Sequence, residues 1–106
     1  MTVIMMYEWN NPTDPEKRRK GYDIASKIFE PYYHNKQKEG VKWKAEDYTD
    51  GTNTIVGIFE FETMEDFSKI WGDEEFQKIF SRWTYYIDNC KVRILRQDLY
   101  LKPEQY

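Results

Sequence analysis

Apolar residues between Thr2 and Trp9 fall on both parities: Val3, Met5, Tyr7 and Trp9 share one face, Ile4 and Met6 the other, until Glu8 interrupts. A strand that is apolar on both sides is covered on both sides. Asn10 to Pro15 breaks this strand. Asp14 before Pro15 supplies a helix N-cap and a favoured first helical residue, and Glu16 suits the positive end of the helix. The predicted helix carries an apolar stripe on Tyr22, Ala25, Ile28, Phe29 and Tyr32, at the three-and-four spacing of one helical face. Pro31 lies inside it and predicts a kink or an end near Glu30, and Gly40 closes the segment. Val41, Trp43 and Ala45 then alternate with Lys42, Lys44 and Glu46, a half-exposed strand. Asp50-Gly51 is a turn signal, and Thr54 to Glu62 answers as hairpin partner. It too is apolar on both sides, with Ile55, Phe59 and Phe61 against Val56 and Ile58.

Thr63 reads as the N-cap of a further helix with acids in its first turn, and Phe67, Ile70 and Trp71 are its stripe. The phase slips at Gly72-Asp73, so Asp73 is expected to cap a second piece bearing Phe76, Ile79, Phe80, Trp83 and Ile87. Asp88-Asn89 is the predicted end, and Val92 to Leu101 the last strand. The order β-α-β-β-α-β with right-handed crossovers gives an antiparallel sheet ordered 4-1-3-2. Its two central strands are then the two whose faces are both apolar. Two helices cover one face of such a sheet, so the other calls for a second copy of the chain. The expectation is one α+β, ferredoxin-like domain over residues 1–106 that dimerises through its open face.

Composition sharpens this picture in one respect. Four Trp, nine Tyr and six Phe in 106 residues are more ring surface than one small core readily hides, which favours a pocket or an interface. A net charge of −3 offers no general attraction to phosphate. The basic run Lys17-Arg18-Arg19-Lys20 raises RNA recognition on a βαββαβ fold. However, the third strand has Val56 and Ile58 where stacking aromatics would stand, so no nucleic-acid partner is expected. The single cysteine, Cys90, fits a reducing compartment, the N-terminus lacks a basic leader, and no apolar run approaches the ~20 residues of a membrane span. A cytoplasmic location is expected.

The run Phe59-Glu60-Phe61-Glu62-Thr63-Met64-Glu65-Asp66-Phe67, followed by Ile70-Trp71-Gly72-Asp73-Glu74-Glu75-Phe76, resembles the dimeric α/β-barrel superfamily, in particular NIPSNAP-like and antibiotic-biosynthesis-monooxygenase-like members. The resemblance extends from Thr2 to Leu101. It implies subunits that press their sheets together into a barrel, a pocket between sheet and helices, and in the enzymes a cofactor-free monooxygenation. The haem-degrading branch uses an Asn on the first strand, a Trp on the second helix and a His beyond it. Asn10 or Asn11 and Trp71 match the first two, but Phe80, Ser81 and Arg82 occupy the region of the third. Haem is therefore not expected, nor is another cofactor.

The candidate ligand-binding residues are Trp9, Phe29, Trp43, Phe59, Trp71 and Trp83, an aromatic set suited to a planar organic molecule. The opposing reading is that these rings fill the core or form the dimer seam. Tyr7, Asn10 and Tyr22 are candidate hydrogen-bonding or catalytic groups. His34 is the one residue whose ordinary pKa suits a neutral-pH base, although its polar surroundings read as surface. Glu30 and His34 do not make up the three or four ligands of a metal site.

Overall fold

The computed structural model describes residues 2–97. Its four strands are β1 (Val3–Asn10), β2 (Trp43–Thr49), β3 (Thr54–Phe61) and β4 (Asp88–Arg96). They form one antiparallel sheet in the order β2-β3-β1-β4. This is the predicted order, with β1 and β3 in the centre. The last strand starts earlier than predicted, at Asp88, because the preceding helix ends at Tyr85. Leu99 and Leu101, assigned to that strand from the sequence, lie outside the described residues.

The first helical arm departs from its prediction. It runs as α1 (Pro15–Asp23), a π-helical segment (Ile24–Phe29) and α2 (Glu30–Lys38) without interruption. Pro31 neither ends nor breaks it. The amide of Glu30 bonds the carbonyl of Ala25, five residues back. The widened turn relieves the ordinary clash between a proline ring and the carbonyl four residues earlier. The extra residue also shifts the buried face, which carries Gly21, Ile24 and Tyr32 and leaves Tyr22 71% exposed. Gly40, at φ +100°, then turns the chain toward β2 in a conformation other residues adopt at a cost.

The second arm is α3 (Met64–Trp71) and α4 (Glu74–Tyr85). Thr63 and Asp66 cap α3 reciprocally: the Asp66 amide donates to Thr63 Oγ1 at 3.1 Å, and the Thr63 hydroxyl donates to Asp66 Oδ2 at 2.8 Å. The Asp66 carboxylate also receives the Lys42 amide at 3.2 Å, which accounts for a buried acid. Asp73 caps α4 by accepting from the Glu75 amide at 3.1 Å. The same carboxylate accepts the Tyr32 hydroxyl at 2.6 Å and lies 3.4 Å from Lys36 Nζ. One side chain thus ties the two arms together.

Both arms pack on one face of the sheet. Val3, Met5, Tyr7 and Trp9 of β1 are buried beneath them, with Phe59 and Phe61 of β3. On the opposite face Ile4, Met6, Val56 and Ile58 remain half-buried, and Leu95 is exposed. Glu8 and Glu60, on that same face, are exposed and form no ion pair among the described residues.

Candidate functional site

A cavity of about 840 Å³ lies between the helices and the covered face of the sheet. Its floor is made by Tyr7 and Trp9 of β1, Ala45 and Asp47 of β2, and Ile55 and Phe59 of β3. The roof is Ala25 and Phe29 of the π-helical segment with Phe76, Phe80 and Trp83 of α4. Arg18, Tyr22, Glu30 and His34 stand at the mouth. Space survives among so many rings because Ala25 and Ala45 are small where their neighbours are large.

One row of the sheet sets the polar character of the floor. Tyr7 and Asp47 are both register partners of Gly57, one on each side of it. The hydroxyl end of the Tyr7 ring lies over that glycine. A Cβ at position 57 would stand 2.2 Å from Tyr7 Cζ and 2.6 Å from its hydroxyl oxygen, so glycine is the residue this arrangement admits. The ring stacks on Trp9 (centroids 5.3 Å apart) and meets Phe80 and Trp83 edge-on at 5.8 and 5.5 Å. The phenol is therefore held in place by packing. Tyr7 is only 7% exposed, and its hydroxyl has no hydrogen-bond partner among the described residues.

Burial pushes the Tyr7 pKa well up, and the Asp47 carboxylate and Cys90 push it in the same direction. The phenol is thus neutral at physiological pH and able to donate. Burial also raises the Asp47 pKa above the ordinary carboxylate value. Asp47 keeps contact with solvent, so this is the push on a half-sheltered group rather than a fully buried one. Its carboxyl forms neither hydrogen bond nor ion pair among the described residues. An unpartnered donor and an unpartnered acceptor thus share one row of the cavity floor.

Of the residues singled out from sequence, Tyr7, Trp9, Phe29, Phe59 and Trp83 line the cavity, while Tyr22 and His34 flank its mouth. His34 is exposed and 3.7 Å from Glu30. Trp43 and Trp71 lie outside the lining: Trp43 stacks on Phe61, and Trp71 stacks on Phe67 at the far end of the core. Trp43 Nε1 is buried without a hydrogen-bond partner among the described residues. Asn10 is engaged in tying strand ends, donating to Thr54 Oγ1 at 3.0 Å and accepting from Asn89 at 3.1 Å. Asp47 and Gly57 went unread as site residues. Carrying the Trp43-Ala45 alternation two positions further puts Asp47 on the same face, and a glycine inside an apolar strand marks a close approach. Among the described residues no group of three His, Cys, Asp or Glu side chains is placed to hold a metal ion. No helix there is long and apolar enough to cross a membrane.

No family model and no curated protein matches this sequence. Solved structures do match its fold. A dimeric protein of unknown function and ferredoxin-like fold from Bacteroides fragilis superposes with a TM-score of 0.64 at 12% identity, over 91% of this chain and 96% of that one. A NIPSNAP family protein from Agrobacterium tumefaciens gives 0.57 at 12%, covering 93% and 88%. The cofactor-independent oxygenase SnoaB from Streptomyces nogalater gives 0.58 at 13%, covering 93% and 97%. The ferredoxin-like architecture expected from the sequence is thus the fold this chain has.

Proposed function

We propose, from a ferredoxin-like fold shared with proteins described as NIPSNAP family members and oxygenases, that this chain is a cytoplasmic homodimer holding a small planar organic molecule in each subunit. The molecule occupies the cavity and is the substrate of a cofactor-free, monooxygenase-like reaction. The observation that carries this reading is the cavity itself. Its volume of about 840 Å³ falls within the range of small-molecule pockets, roughly 300–1,000 Å³. Its inner walls are largely aromatic, its charged residues stand at the mouth, and Tyr7 and Asp47 on its floor have no partner among the described residues. Flat rings offer a flat ligand stacking and edge contacts while the polar tips fix its orientation. Oxygenation without a cofactor needs a substrate that supplies its own electrons, so orientation and exclusion of water are what the chain would contribute. The dimer rests on the apolar strip Ile4, Met6, Val56 and Ile58, which the helices leave uncovered.

Thermal unfolding in the presence of quinones, flavins, haem and phenols tests the pocket. A ligand at ~100 times its Kd adds about 2.7 kcal/mol, and each kcal/mol moves the Tm of a domain this size by roughly 4–8 °C. A rise of about 10 °C or more is expected with at least one class, together with oxygen uptake for a true substrate. The variant Ala25→Trp, whose indole fills the roof, is expected to lose the shift. No rise across the panel would count against the pocket, and binding without turnover would reduce the reading to a binding protein.

A further inference from the structure

The row Tyr7–Gly57–Asp47 has a geometry that goes beyond generic binding of a flat molecule. The Tyr7 hydroxyl ends above Gly57, the residue directly between Tyr7 and Asp47. It therefore stands about one strand spacing, ~4.8 Å, from the column that carries Asp47. The two groups do not bond each other. Two O–H···O hydrogen bonds of about 2.7 Å each meeting at one oxygen span up to ~5.4 Å. Both residues line the cavity, so a ligand hydroxyl placed between them would accept from Tyr7 and donate to Asp47. Neither a bare ring edge nor an ether satisfies both. Tyr7 cannot swing away to find another partner, because Trp9, Phe80 and Trp83 enclose its ring.

We propose that Tyr7 and Asp47 form a specificity-determining clamp for a phenolic or enolic hydroxyl, so that the cavity selects hydroxylated aromatic or conjugated ligands over their ethers and parent hydrocarbons. The inference rests on the pocket reading above and narrows its ligand class. A hydroxylated ligand gains both bonds, whereas its ether and hydrocarbon analogues cannot make the two together. In the hydroxyl complex the Tyr7 O–H is the donor and its proton stays on the phenol. The ligand proton points at the Asp47 carboxylate, a charge-assisted and therefore stronger bond.

The test is equilibrium dialysis of the full chain against naphthalene, 2-methoxynaphthalene and 2-naphthol. The wild-type protein is expected to bind 2-naphthol at least tenfold more tightly than either of the others. Asp47→Ala is expected to remove most of that preference and leave naphthalene binding unchanged. Tyr7→Phe, which keeps the ring over Gly57, is expected to weaken 2-naphthol about fivefold, again with naphthalene unchanged. Equal binding of the three probes by the wild type, or 2-naphthol affinity untouched by both substitutions, overturns the clamp while the pocket stands. Failure of the wild type to bind any probe overturns both. Far-ultraviolet circular dichroism of each variant verifies that losses are not losses of fold, and unchanged naphthalene affinity provides the same control within the assay.

Discussion

At the scale of single residues, the site depends on what is missing at position 57. A glycine in a central strand normally weakens it, since the chain loses more entropy and offers no side chain to pack. Here the absent side chain is the room in which the Tyr7 ring lies. Gly57→Ala places a methyl 2.2 Å from Tyr7 Cζ, so the ring must leave its contacts with Trp9 and Trp83. Overpacking of this kind costs typically 1–3 kcal/mol. Chemical denaturation should therefore report a destabilisation of about that size for Gly57→Ala. The same substitution made in a Tyr7→Ala background should cost clearly less, because the clash is gone. A cost that is equal in both backgrounds would show that the glycine serves strand geometry and not the ring. The glycine was visible in the sequence; the ring that needs it was not, because Tyr7 and Gly57 are fifty positions apart.

At the scale of elements, local chemistry was a reliable guide to where helices start. Asp14, Thr63 and Asp73 each accept from a backbone amide of the first turn they precede, as short polar side chains at N-caps do. Helix interiors were less legible. Pro31 signals an end by its own sterics, and the π-helical turn that accommodates it has no comparable residue signature. Asp73 adds a link that no local pattern contains, since its partners Tyr32 and Lys36 belong to the other arm. The Tyr32 hydroxyl bond, the Glu75 amide and Lys36 together hold the Asp73 pKa below the ordinary carboxylate value against the opposing effect of burial. A folded-state pKa below that of the unfolded chain, ~3.9, means stabilisation that is complete above that value and is lost as the pH falls through the lower folded one. Acid titration of stability should therefore show a loss below about pH 4. Asp73→Asn retains a capping oxygen and lacks the charge, so its stability should fall less steeply over the same interval. Identical acid profiles would remove Asp73 from the account.

At the scale of the whole molecule, one face of the sheet is closed by helices and the other is not. Ile4, Met6, Val56 and Ile58 form a continuous apolar strip on that open face, with Glu8, Lys44, Glu60 and Arg93 around it. Apolar centre and charged rim are the usual anatomy of an association surface. Sedimentation equilibrium should find a dimer at micromolar concentration. Ile58→Asp, which sets a charge at the centre of the strip, should shift the equilibrium to monomer by two or more orders of magnitude in Kd, while the covered core and its cavity remain intact. A wild-type monomer at that concentration would sink the dimer.

What the sequence determined by itself is whatever follows from neighbours along the chain: the alternation that makes strands, the caps that start helices, and the element order from which sheet order 4-1-3-2 follows by handedness alone. Even the uncovered face is contained in that order, since two helical arms cannot cover both sides of four strands. Only the tertiary structure decided which rings face a cavity and which fill the core. Periodicity assigns Trp9 and Trp43 to the same covered face equally well. Whether space is left beside them depends on the summed volumes of residues drawn from β1, β2, β3, the π-helical turn and α4. Pattern along a chain specifies the side a residue faces; the volume left over is a property of all the segments at once. For that reason Tyr7, Gly57 and Asp47 became one row only when three strands were laid side by side.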